Sequence, residues 1–134
     1  MQQNMPIDIA DAIQSALNAD GIRACARPLP HDLAGNLPIT LVETFQGGGR
    51  TDVVLDRYAV RLYTWADTPA AAVAESCAAF SALMSHQWGE LDGHPCYRVS
   101  PSAMPYEAHD TQHPDIPRAC FTAHLYVRAV TLDS

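Results

Sequence analysis

The chain contains no lysine, so its eight basic residues are all arginines, set against 15 acids for a net charge of −7. That balance argues against a domain that grips nucleic acid by neutralising phosphates. Charged residues of both signs make up only 17% of the chain, below the usual level of about 25%. So sparse a charge hints at a surface partly covered by a partner. The four cysteines, at positions 25, 77, 96 and 120, include no CxxC pair and no zinc-ribbon spacing. We expect four free thiols in a reducing compartment, with Cys77 and Cys120 acting as small hydrophobes inside apolar patterns. No apolar run approaches the roughly 18 residues of a membrane span. The start, MQQNMPIDIADA, lacks the basic and apolar regions of a secretory leader.

Catalytic signatures are also missing. There is no GxSxG elbow and no HExxH pair. The triplet Gly47–Gly48–Gly49, followed by Arg50, invites a phosphate-cradle reading. A P-loop needs a lysine and a following helix, and a dinucleotide fingerprint needs a helix as well. Here the next segment is a strand. We therefore read residues 47–50 as the mobile tip of a long β-hairpin, free to order against a partner. The stretch EAHDTQHP offers Glu107, His109, Asp110 and His113, with His94 and His31 elsewhere. Two histidines four apart share a face only on a helix, and this stretch is bounded by proline, so a solvated loop is expected and no metal or other cofactor. His86, near a helix end, reads as structural. Nothing marks the chain as an enzyme.

What is present is a pattern for one α+β domain spanning 1–134. Ile9, Ala12, Ile13, Ala16 and Leu17 recur at helical spacing, with Pro6 suited to the first position and Gly21 to the stop. A proline-rich irregular stretch leads to a strand over Ile39–Gln46. Residues Asp52–Ala66 form the clearest strand: Tyr58, Val60, Leu62 and Thr64 share one face, Ala59, Arg61, Tyr63 and Trp65 the other. A helix follows, capped by Thr68 or Asp67 with Pro69 at its first position; Val73, Cys77, Phe80 and Met84 are expected to face the core. His94–Ser100 reads as a short strand and 101–117 as a long polar loop. Arg118–Val130 closes the pattern, with Phe121, Leu125 and Val127 inward and Tyr126 and Arg128 outward.

The order α-β-β-α-β-β predicts a four-stranded, mostly antiparallel sheet with both helices on one face. The other face carries Arg61, Tyr63, Trp65, Tyr126 and Arg128. Aromatics with arginine are typical of interface cores, so these five are the candidate partner-binding residues.

The succession of features resembles a known family. An IADAIQSAL helix leads to LPHDLAGNLPITLVETFQGGG. DRYAVRLYTWADTPAAAVAESCAAFSAL then joins strand to helix, and RACFTAHLYVRAV closes the domain. Over Ile7 to Val130 this is similar to the lambda-type tail terminator (tail completion) proteins of long-tailed bacteriophages and prophages. The resemblance implies an α+β subunit of a hexameric ring, with no catalytic residues. Such a ring caps the tail tube in the virion, assembles in the host cytoplasm, and contacts the tail-tube protein and a head-completion or neck protein. DNA passes through without specific binding, and no membrane is involved. Head–tail connector or stopper proteins share the outline and are the near alternative; a small-ligand or metal-binding module, or a small hydrolase or transferase, lies further off.

Overall fold

The computed structural model describes residues 2–26 and 28–133. Its elements are β1 (Gln2–Met5), α1 (Ile9–Ala19), β2 (Ala24–Cys25), β3 (Ile39–Arg50), β4 (Leu55–Trp65), α2 (Pro69–Met84), β5 (Gly89–Leu91), β6 (His94–Glu107), β7 (Arg118–Arg128) and β8 (Val130–Asp133). The α+β class and the largely antiparallel pairing follow the expectation, but the sheet does not. Among the described residues there is a six-stranded sheet, ordered β2-β3-β4-β7-β6-β5, and a separate two-stranded ribbon, β1-β8. The unforeseen strands are short or polar. β2 pairs in parallel with β3 through only Ala24 and Cys25, and β5 is three residues long.

Both helices begin with a side-chain cap. Asp8 accepts from the Asp11 amide at 3.2 Å, so α1 starts at Ile9 and Pro6 lies outside it. Thr68 accepts from the Ala71 amide at 3.0 Å, with Pro69 in the first turn. Gly21 ends α1 as expected: its φ of +87° suits glycine, and the Gly21 and Ile22 amides bond back to the last turn. The inward face of α2 is displaced by one residue from the expected stripe. Ala72, Ser76, Ala79 and Leu83 are buried, whereas Cys77 is exposed. Small residues let α2 lie close to the sheet, and the larger Val73, Phe80 and Met84 flank the contact line. Phe80 meets Phe121 edge-on, ring centroids 5.3 Å apart.

The main core lies between the helices and one face of the sheet. Ile9, Ile13 and Leu17 of α1 and Leu83 of α2 meet Val42, Val60, Leu62, Phe121, Leu125 and Val127. His86 joins the layers: its Nε2 lies 2.8 Å from an Asp20 carboxylate oxygen and its Nδ1 2.8 Å from the Glu90 carbonyl.

A second, smaller core occupies one end of the opposite face, and it corrects the expectation for Trp65. The indole is only 2% exposed. It packs with Leu33 and Ile39 under Leu29, Leu37 and Ile116, residues of the 26–38 and 108–117 connections. Its Nε1–H donates to Asp110 Oδ2 at 2.8 Å. His113 Nδ1 lies 2.8 Å from that same oxygen, and the Gln112 amide donates to Oδ1. Asp110 and His113, weighed above as metal ligands, are thus engaged in fastening a loop over Trp65. Trp65 is an internal anchor, and the expected outward set loses it.

Burial alone pushes the Asp110 carboxyl up, but hydrogen bonds from His113, Trp65 and Gln112 and the nearby Arg118 outweigh it and hold the pKa at about 2. A folded pKa below the unfolded value of about 3.9 stabilises the protein above that value, and the contribution disappears as pH falls towards 2. The unfolding free energy from urea titration should therefore fall by about 2 kcal/mol more in wild type than in Asp110→Asn between roughly pH 5 and pH 2. Equal acid slopes in the two proteins would mean that this network does not form.

Candidate functional site

The helix-free face of the sheet can be read row by row. Antiparallel partners share a face, so Phe45, Ala59 and His124 form one row, and Glu43, Arg61 and Thr122 the next. Leu41, Tyr63, Cys120 and Tyr106 form a third, and Ile39, Trp65 and Arg118 a fourth. Along these rows arginines alternate with rings. The Arg61 guanidinium lies 4.9 Å from the Phe45 centroid and 6.0 Å from that of Tyr63. Arg118 lies 4.3 Å from Tyr63 and 5.8 Å from Trp65. The stack runs from the buried indole out to an exposed phenyl ring. Arg61 and Tyr63 are half-buried, while Phe45 and Tyr106 are exposed.

The five expected residues therefore share one face but not one cluster. Arg61 and Tyr63 sit in the stack, and Trp65 lies beneath a loop. Tyr126 stands opposite both Arg57 and Arg98, nearer the far end, and Arg128 is the exposed last residue of β7. Phe45, Tyr106 and Arg118 were missed. Phe45 was findable, because alternation along ITLVETF puts it with Leu41 and Glu43. Tyr106 was hidden by the prolines. β6 runs on to Glu107, through half of the expected loop, because bulges near Tyr97, Ser102 and 104–105 absorb Pro101 and Pro105.

The glycines also fall elsewhere than expected. Gly47–Arg50 belong to β3, and the hairpin turns at 51–54. Pairing passes from Phe45–Ala59 directly to Gly49–Arg57, so Gln46, Gly47 and Gly48 bulge opposite Tyr58 alone. Gly47 has φ +133°, and a Cβ on Gly48 would lie 2.4 Å from the Arg57 carbonyl oxygen. Arg50 is not part of a free tip. Its Nε and Nη2 donate to the two Asp56 carboxylate oxygens at 2.6 and 3.0 Å, a forked pair. That bond holds the buried Asp56 carboxyl below the ordinary range. Tyr58 OH donates to Asp56 at 3.4 Å and accepts from the Ile7 amide at 3.0 Å, tying the entry to α1 to the bulged hairpin.

Chemically the face offers little for catalysis. Ser102 Oγ and His124 Nδ1 are 2.9 Å apart, but no carboxylate among the described residues orients the imidazole. Burial pushes the Cys96 thiol up to about 11 and raises Cys120 as well, so neither is an activated nucleophile. All four cysteines are free. Among the described residues no three His, Cys, Asp or Glu side chains are grouped to hold a metal, and no helix is long and apolar enough to cross a membrane. No protein-family model matches this chain, and no curated protein matches it in sequence.

The bulge makes a sharp prediction. Gly48→Ala should destabilise the fold by about 2 kcal/mol, because the methyl group meets fixed backbone. Gly49→Ala, with open space around its Cβ position, should stay within about 0.5 kcal/mol of wild type. Equal denaturation midpoints for the two variants would show that the bulge is not formed.

Proposed function

We propose that the chain is a structural subunit of a phage or prophage tail, a tail terminator that assembles with copies of itself into a hexameric ring capping the tail tube. The observation that carries this is the outward end of the arginine–aromatic stack on the helix-free face, at Phe45, Arg61, Tyr63 and Tyr106. Arginine over a ring desolvates readily, and such groups dominate binding energy at protein interfaces. Tyr126 and Arg128 extend the same face; Trp65 supports it from within. The resemblance over Ile7–Val130 supplies the ring, the tail-tube and neck partners, and a place in the virion tail. A net charge of −7 on each copy suits a channel that passes DNA without holding it.

The test is assembly. Purified protein should form rings by native mass spectrometry and electron microscopy, and should stop growth of polymerising tail-tube protein. Rings that leave tube growth untouched but bind a portal assembly would favour the head–tail connector instead. A monomer with no effect on either would sink both.

Arg61→Ala should weaken ring or tube association by about tenfold or more, the usual loss at an interface anchor. Its circular dichroism should match wild type, and its stability should change by no more than about 1 kcal/mol. An unchanged association constant would remove the stack from the interface.

A further inference from the structure

Trp88 has no place in the fold's packing. At 75% exposure it is the most exposed large apolar side chain described. Its φ is +66°, a region that bulky side chains rarely occupy. The turn around it is fastened from both sides: the Gly89 amide bonds to the His86 carbonyl, and the His86 ring to that of Glu90. A firmly held, strained turn thus presents an indole to solvent, flanked by the exposed carboxylates of Glu90 and Asp92.

A recess lies towards the opposite edge of the sheet. An open, mostly apolar groove of about 550 Å³ lies between the segment after β1 and the glycine bulge, with Pro6, Phe45, Gly48, Gly49 and Ala59 among its lining. Arg57 lies in its wall. The Nε of Arg57 is buried without a hydrogen-bond partner, and no carboxylate among the described residues comes within 4.0 Å of its guanidinium. The other arginine in the wall, Arg50, already neutralises Asp56. The groove therefore combines an apolar cleft with one unanswered positive charge.

Knob and groove lie at the two ends of a single cross-strand row. Arg50 pairs with Asp56, Asp56 with Val127, Val127 with Cys96 and Cys96 with Gly89, next to Trp88. Four strand spacings put them about 19 Å apart at one level of the sheet. We infer that Trp88 of one copy inserts into the groove beside the glycine bulge of the next, with Glu90 and Asp92 facing Arg57. The occupant is a second copy of this chain, because the indole and its two acids match the cleft and its cation. Two different patches at opposite edges make a heterologous contact, which repeats from copy to copy and closes when the rotation allows. The contact deepens the ring reading above and rests on it for closure.

Sedimentation of wild type, Trp88→Ala and Arg57→Glu tests it, with tryptophan emission as a second readout. Wild type should associate with rising concentration, and its emission should shift to the blue as the exposed indole is covered. Each substitution should weaken association at least about tenfold. In Trp88→Phe the shift should vanish, because the buried Trp65 is then the sole tryptophan. Adding Glu90→Arg to Arg57→Glu should restore part of the loss. Where copies meet only on tail-tube protein, the same comparisons are made on the capped tube with the same losses expected. Association of Trp88→Ala equal to wild type, or assembly without an emission shift, overturns the Trp88 contact and leaves the ring standing. A wild type that stays monomeric with and without tube protein overturns both.

Discussion

Eleven unbroken antiparallel pairs, from Leu55–Arg128 to Trp65–Arg118, join β4 to β7 and fix the rest of the molecule. Because side chains alternate across a strand, this single register sorts every residue of both strands to one face or the other. Val60, Leu62, Phe121 and Leu125 go to the helices. Arg61, Tyr63 and Arg118 go to the opposite face, where their spacing lets each guanidinium reach a ring. A slip of one residue would bury arginines under the helices and expose the phenylalanine. The apolar core and the candidate interface are therefore two outcomes of one constraint, and neither can shift without the other.

That dependence explains which features were legible in the sequence. The two central strands are long, regular and free of proline, so alternation alone gave their faces correctly. Helix α1 announced itself by its apolar stripe and by Gly21, and α2 by Thr68 and Pro69, whereas the Asp8 cap of α1 was not read. Features set by contacts between distant segments were not legible. The burial of Trp65 needs two connections to fold over it and an aspartate 45 positions away. The α2 stripe is rotated by one residue because a run of alanines gives no strong periodic signal, and close approach selected Ala72, Ser76 and Ala79. Pro101 and Pro105 read as loop because sequence pattern cannot show that bulges will accept them. Gly47–Gly49 read as a tip because three glycines permit a turn as well as a bulge; only the steric limit at Gly48 separates the two.

The absence of lysine acquires a physical sense once the contacts are known. Arg61 and Arg118 lie over aromatic rings, and Arg50 grips both oxygens of Asp56. Arg118 also bonds the carbonyls of Ala108 and His109, holding the loop that covers Trp65. Each of these uses the flat, forked shape of a guanidinium, which an ammonium group cannot copy. A cation that lies flat on a ring also loses less hydration when a partner covers it. An arginine-only surface is thus suited to being buried in a contact, whereas lysines would keep it in water.

The two edges of the six-stranded sheet bear on what kind of contact that is. β2 covers only the first part of β3, and β5 only the first part of β6, so both edges are open for much of their length. Open edges invite strand addition, which in an unregulated form means aggregation. The open part of the β6 edge is blunted by Pro101 and Pro105 and by repeated bulges. The β3 edge is interrupted by the glycine bulge, whose displaced residues cannot present a regular ladder to a neighbour. Continuous pairing between copies is therefore disfavoured on both sides. What remains for the proposed assembly is side-chain contact: an indole at one edge, an apolar groove with an unanswered arginine at the other, and a stacked face between them. Contacts of that kind fix the rotation between copies, and whether that rotation closes is what separates a ring from an open fibre.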